Sequence, residues 1–180
     1  MKRIYFIVFA IIAFSTGGVA QKGNNSIGAG GELNFPTGDF GDRFKTGFGL
    51  YAKGLFGIGK AGQVTITTGY SGFKERGTWD DYSATVNIIP LFIGYRHYFN
   101  SLFIEPQLGY AVYGSKYTSF EDGSRTESDG AINAAANIGY LFSKQLEISA
   151  RYQTGGKQGW NVNMFGLRAG YNFSLKPAKK

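Results

Sequence analysis

The feature that most constrains this chain is the alternation running from Asn87 to Tyr113, NIIPLFIGYRHYFNSLFIEPQLGYAVY. It predicts two long strands joined at a tight turn near Asn100-Ser101. In the second arm, Leu102, Ile104, Leu108, Tyr110 and Val112 share one face, and Glu105, Gln107, Gly109 and Ala111 share the other. A period of two means a strand with one apolar face and one polar or small face. Each arm is about ten residues or longer, above the ~5–6 usual in soluble proteins and near the ~9–11 that a tilted strand needs to cross a bilayer. The hairpin is therefore expected at the centre of a membrane β-barrel. In the first arm, Ile88 to Tyr95 is apolar on both faces, so the pattern leaves open which face meets lipid. Pro90 and Pro106 sit inside these arms, where each removes a ladder hydrogen bond, and they are expected to mark bulges or local bends.

The same alternation predicts further strands near Ile27–Phe35, Thr46–Ile58, Gln63–Tyr70, Ala131–Leu141, Gln145–Thr154 and Val162–Phe173. The connections alternate in length. Pro36–Lys45, Phe73–Asp81, Ser115–Gly130 and Gly155–Trp160 read as long polar loops, and the intervening connections as short turns. Outer-membrane barrels have short periplasmic turns and longer extracellular loops. The expected fold is all-β, an eight-stranded antiparallel up-and-down transmembrane β-barrel after an N-terminal signal peptide. An even strand number places both termini on the periplasmic side of the cell outer membrane. Gly is 28 of 180 residues and aromatics are 17%, which suits tight turns and interfacial aromatic belts. Gly-Tyr recurs at 69-70, 94-95, 109-110, 139-140 and 170-171, once in each of five expected strands.

The signal peptide is read from the N-terminus. Lys2-Arg3 precedes eleven apolar residues, Ile4–Phe14, and Gly18-Val19-Ala20 offers small residues before Gln21. This is the layout of a secretory signal with cleavage after Ala20, and eleven residues are too few to span ~30 Å of hydrocarbon. Residues 1–20 are expected to be removed, leaving 21–180 as the barrel domain. The formal charge of +7 falls to +5 without Lys2 and Arg3, and the excess has no run dense enough for a nucleic-acid stripe.

If the apolar set faces lipid, the opposite set lines the interior and contains Glu32, Lys53, Glu105, Glu147, Arg151 and Arg168. Three are acidic and three basic, so the sum is zero. An eight-stranded barrel is only wide enough for side chains to fill it. Charges there must be paired and hydrogen-bonded. A salt-bridged, largely closed lumen is expected, with a narrow ion pathway lined by the same groups as the alternative.

The last strand, Gly166-Leu167-Arg168-Ala169-Gly170-Tyr171-Asn172-Phe173, resembles the C-terminal assembly signal of bacterial outer-membrane proteins, with Leu167, Ala169 and Tyr171 closing on Phe173. The central IIPLFIGYRHYF and FIEPQLGY are similar to the small porin-like outer-membrane β-barrel family of Gram-negative bacteria. The resemblance implies a place in the cell envelope, contact with outer-membrane lipid and lipopolysaccharide, and insertion by the barrel-assembly machinery.

Little in the chain points to catalysis, metal or cofactor. With His97 alone and no Cys, a zinc site has too few ligands. His97 falls at the periplasmic end of its strand and reads as an interfacial residue beside Tyr95, Tyr98 and Phe99. Asp80-Asp81 and Glu121-Asp122 read as solvated loop acids that bind divalent cations weakly with lipopolysaccharide at most. Three other readings remain: a soluble exported lipocalin-like barrel with its apolar face inward, a membrane-embedded lipid-modifying enzyme using His97, and a partner-binding barrel acting through an extracellular loop at 115–130. The leading reading is a structural or porin-like barrel with surface loops for contacts.

Overall fold

The computed structural model describes residues 25–58, 61–77, 82–119, 123–143, 145–157 and 160–175. The expected signal segment 1–20, Asp80-Asp81, Glu121-Asp122 and the last five residues lie outside them. The strands are β1 (Ser26–Thr37), β2 (Gly47–Ile58), β3 (Gly62–Lys74), β4 (Tyr82–Phe99), β5 (Leu102–Ser119), β6 (Gly123–Phe142), β7 (Leu146–Lys157) and β8 (Trp160–Ser174), with a short helix α1 (Gly38–Arg43) after β1. Each strand pairs antiparallel with the next, and β8 pairs with β1, so the sheet is an eight-stranded closed barrel. Closure removes the open edges that would otherwise need satisfying in lipid.

The surface is inverted relative to a soluble protein. Leu50 is 72% exposed and Ile132 70%, while Arg96 and Glu105 are 0% exposed inside the barrel. Apolar exposure on this scale, wrapped around a closed sheet, is the surface of a protein whose solvent is lipid. The lipocalin-like alternative, which needs its apolar face inward, is not favoured by this surface. On β8 the outward aromatics Phe165 and Phe173 are eight residues apart. That is about 27 Å along the strand, which a tilt of roughly 40° reduces to about 20 Å, near the ~25 Å apolar band of outer-membrane barrels. Outward rings gather at both ends of this band. Tyr152 packs on Phe165 at 4.9 Å toward the loop end, and Tyr140–Phe142 and Tyr171–Phe173 pack at 4.7 and 4.8 Å toward the turn end.

The facing of β4 is settled by burial. Ile89, Leu91, Ile93, Tyr95 and Phe99 point outward, while Val86, Ile88, Phe92 and Arg96 point inward. The expected bulges at the prolines do not occur. Tyr82↔Ser119 and Phe99↔Leu102 keep one register across β4 and β5, with no inserted residue beside Pro90 or Pro106. Each proline instead lies where ladder pairing lapses on one side only, Pro90 against β3 and Pro106 against β4.

Several expected loops are strand. β5 continues to Ser119 and β6 begins at Gly123, so most of 115–130 is a paired hairpin that carries the sheet beyond the apolar band. β7 likewise runs to Lys157 and β8 starts at Trp160, replacing the loop expected at 155–160. β3 reaches Lys74, which shortens the expected 73–81 loop at its start, and β4 begins directly after that loop at Tyr82. Outside the bilayer neither face of a hairpin meets an apolar solvent, so polar residues occupy both faces and the period of two vanishes.

α1 turns inward at the loop end. Its Phe40 is 1% exposed and stacks with Phe44 at 4.8 Å and Phe73 at 5.2 Å. These rings join Val86, Ile88, Ala111, Tyr113, Ala131, Val162 and Met164 in one apolar cluster that fills the loop-end half of the interior. Arg76 fixes the helix from the side, donating from Nε to Gly41 O at 2.7 Å and Phe44 O at 3.1 Å. The interior therefore has two layers: an apolar plug toward the loops and a polar, charged layer toward the turns.

Candidate functional site: the closed lumen

The inward positions of successive strands carry the charged layer, because each inward side chain meets its counterparts across a narrow interior. Lys53 on β2, Arg96 on β4, Glu105 on β5 and Glu147 on β7 converge on the axis. Arg96 donates from Nε to Glu105 Oε2 at 2.7 Å. It also donates from Nη1 and Nη2 to the two oxygens of Glu147, at 2.7 and 3.0 Å. Lys53 Nζ donates to Glu105 Oε2 at 3.1 Å and lies 3.5 Å from Glu147 Oε1. Two cations and two carboxylates from four strands thus close into one fully desolvated network. Thr65 and Gln107 add donors to Glu105, and Asn172 adds one to Glu147. Charge-assisted hydrogen bonds of this kind offset part of the cost of taking ions out of water.

A second pair sits at the seam. Arg168 Nε donates to Glu32 Oε2 at 2.7 Å, and Glu32 Oε1 accepts from Asn34 at 2.9 Å and from Ser71. Arg151 is placed differently. Its guanidinium donates to Gln107 Oε1 at 2.6 Å, to Asn137 Oδ1 at 3.1 Å and to Gln153 Oε1. Among the described residues, none of its partners is a carboxylate. Each buried guanidinium also lies over a ring: Arg96 over Phe103 at 3.7 Å, Arg151 over Phe92 at 4.7 Å and Arg168 over Tyr51 at 4.6 Å. Such stacking favours cations most where water is excluded.

All six residues read as lumen charges from the sequence are buried. The structure brings Lys53, Glu105 and Glu147 into one network and Glu32 and Arg168 into another, and sets Arg151 apart from both sets of carboxylates. The sequence reading missed Arg96, the cation at the centre of the larger network. Its omission also changes the sum: with Arg96 the described lumen holds four cations and three carboxylates, not a balanced set. The signal that finds Arg96 is the Gly-Tyr repeat. Tyr70, Tyr95, Tyr110, Tyr140 and Tyr171 all point outward, so the residue after Tyr95 points in.

The repeat also has an interior use. A methyl group at Gly139 would collide with the Phe103 ring that carries Arg96, and one at Gly170 would collide with the Tyr51 hydroxyl beneath Arg168. Inward glycines one strand away (Gly139) and two strands away (Gly170) therefore make room for the rings on which the guanidinium groups lie.

Leu167, Ala169, Tyr171 and Phe173 line the outward face of β8, opposite Leu33, Gly31, Ala29 and Ile27 of β1. His97 also faces outward, 4.7 Å from the Phe99 ring, with Nδ1 3.5 Å from the Tyr95 hydroxyl. Tyr98, expected beside it, points inward instead and donates to Gln63 Oε1.

No protein-family model matches the chain, and no curated protein matches it. Solved structures do. The attachment invasion locus protein Ail of Yersinia pestis, solved in complex with the heparin analogue sucrose octasulfate, matches with TM-score 0.68 at 18% identity, covering 85% of this chain and 100% of Ail. The N-terminal β-barrel domain of Pseudomonas aeruginosa OprF matches with TM-score 0.61 at 16% identity, covering 84% of this chain and 100% of that domain. Neisserial surface protein A matches with TM-score 0.53 at 15% identity, covering 84% of this chain and 97% of that protein. At these identities the likeness is one of fold, and it agrees with what the inverted surface requires: the chain folds as a small membrane β-barrel.

Proposed function

We propose that the protein is an integral outer-membrane barrel, structural or porin-like in build, whose interior is closed and whose contacts are made by its outer surfaces. One observation carries this reading: ionic groups fill the axis while Leu50, Ile132 and their neighbours cover the outside. In this reading residues 1–20 direct export and are cleaved after Ala20, both termini lie in the periplasm, and the loop end is extracellular. The barrel-assembly machinery reads Leu167, Ala169, Tyr171 and Phe173, which form an unbroken outward row on the closing strand. Lys45 and Lys74, exposed side by side above the apolar band and joined by a 2.8 Å backbone hydrogen bond, suit the phosphates of lipopolysaccharide. The hairpin spanning 115–130 is the surface offered to an extracellular partner.

The reading is non-catalytic. His97 lies on the lipid-facing side between the Tyr95 and Phe99 rings and opposite Ile104, and a general base needs a positioned substrate and an orienting group. No cofactor is called for.

Cell fractionation followed by gel migration with and without boiling tests the proposal. The protein should enter the outer-membrane fraction and migrate differently before and after heating. Recovery in the soluble periplasm with one heat-independent mobility would contradict it.

A further inference from the structure

Among the described residues, the polar layer contains two buried atoms without a hydrogen-bond partner: Ser149 Oγ and Arg168 Nη1. They are close in the fold. Ser149 and Arg168 are directly paired across β7 and β8, and both side chains point inward at 3% exposure. Glu32 occupies the Nε and Nη2 side of the Arg168 guanidinium, which leaves Nη1 turned away from it. Arg151 stands two residues beyond Ser149 on the same inner face of β7, diagonal to Arg168; its direct acceptors are neutral amide oxygens and its guanidinium lies over the Phe92 ring, with no carboxylate among its hydrogen-bond partners in the described residues. Two orphaned donors and one cation without a direct ion pair among the described residues are therefore gathered on one patch of lumen wall.

We propose that this patch binds a small monovalent anion, with chloride as the physiological occupant. Arg168 Nη1–H and Ser149 Oγ–H supply its hydrogen bonds, and Arg151 supplies the balancing charge. Buried donors left unpaired are costly, and so is a buried charge without its opposite. One anion relieves both and brings the described lumen from four cations and three carboxylates to neutrality. The interior of an eight-stranded barrel is packed by side chains, which favours a monatomic ion over a bulky organic anion. The site goes beyond the closed-barrel reading: it stands on the lumen geometry and not on what the outer surface meets.

The test uses the mature barrel refolded in zwitterionic detergent. Thermal unfolding is followed at constant ionic strength while chloride replaces gluconate, so that screening stays fixed. The unfolding midpoint should rise with chloride and level off as the site fills. Arg151→Gln, which leaves three cations and three carboxylates, should abolish the rise. Ser149→Ala should raise the half-saturating chloride concentration by about tenfold, the loss expected for one hydrogen bond to an ion. Equal midpoints in chloride and gluconate for the unaltered protein would overturn the proposal. So would a chloride response that Ser149→Ala leaves unchanged, an outcome that decides the matter even where Arg151→Gln does not refold.

Discussion

Glu32 and Arg168 are paired twice over: they are backbone partners across the β1–β8 junction, and Arg168 Nε donates to Glu32 Oε2 at 2.7 Å. Their strands are the first and the last, so this bridge ties the seam at which the sheet becomes a cylinder. The side-chain bridge joins residues 136 apart in sequence and reinforces the backbone ladder between the two strands.

Glu32→Gln should therefore weaken the seam. It leaves the buried Arg168 guanidinium without its carboxylate, a loss of roughly 3–5 kcal/mol for a broken buried pair. Urea unfolding of the refolded barrel measures it. The gel shift on boiling should also occur at a lower temperature.

Arg96 should matter more than Lys53. Arg96 holds both Glu105 and Glu147, the latter through two hydrogen bonds, whereas Lys53 makes one hydrogen bond to Glu105 and a longer contact to Glu147. Comparing Arg96→Met with Lys53→Met by urea unfolding should give the larger loss for Arg96. Arg96→Lys should recover little, because an ammonium does not reproduce the planar fork that meets two carboxylates and stacks on Phe103.

Gly155 is a packing requirement. A methyl group there would meet the Asn133 amide, which accepts from Tyr113 at 2.8 Å and Gln153 at 3.1 Å and is held in place by them. Gly155→Ala should cost about 1–3 kcal/mol through overpacking. Adding Asn133→Ala should recover part of that loss, and the two effects should be plainly non-additive in a double-mutant cycle.

The plug and the ionic layer should seal independently. Phe40→Ala removes the ring that closes the loop end and should cost about 3–5 kcal/mol. Planar-bilayer recordings should nevertheless show no steady conductance, because the network around Arg96 still fills the axis. Large sustained currents from the unaltered protein would mean that the lumen conducts.

Legibility in the sequence followed the contrast between faces. On β5, Glu105 and Gln107 against Leu108 and Tyr110 made both the strand and its facing plain. On β4 the contrast failed because Ile88 of the apolar plug and Phe92 beneath Arg151 lie inside while lipid holds Ile89 and Leu91 outside. That same ambiguity hid Arg96. The hairpin through 115–130 was invisible as strand for the opposite reason: beyond the bilayer both of its faces are polar. α1 is a six-residue helix, too short to show a helical period. Its position depends on contacts with Phe73 and Arg76, residues distant in sequence. The partner arrangement of the lumen charges lay beyond the pattern altogether, since alternation says which side chains point inward but not which of them meet.

The most direct test of the central claim is a single-cysteine spin-label scan along β5 from Leu102 to Val112 in lipid bilayers, made clean by the absence of native cysteine. Labels at Leu102, Ile104, Leu108, Tyr110 and Val112 should collide freely with oxygen dissolved in the lipid, and labels at Phe103, Glu105, Gln107, Gly109 and Ala111 should be shielded from it. The reverse pattern, or oxygen access without a period of two, would contradict a barrel that turns its apolar side to lipid and encloses its ions.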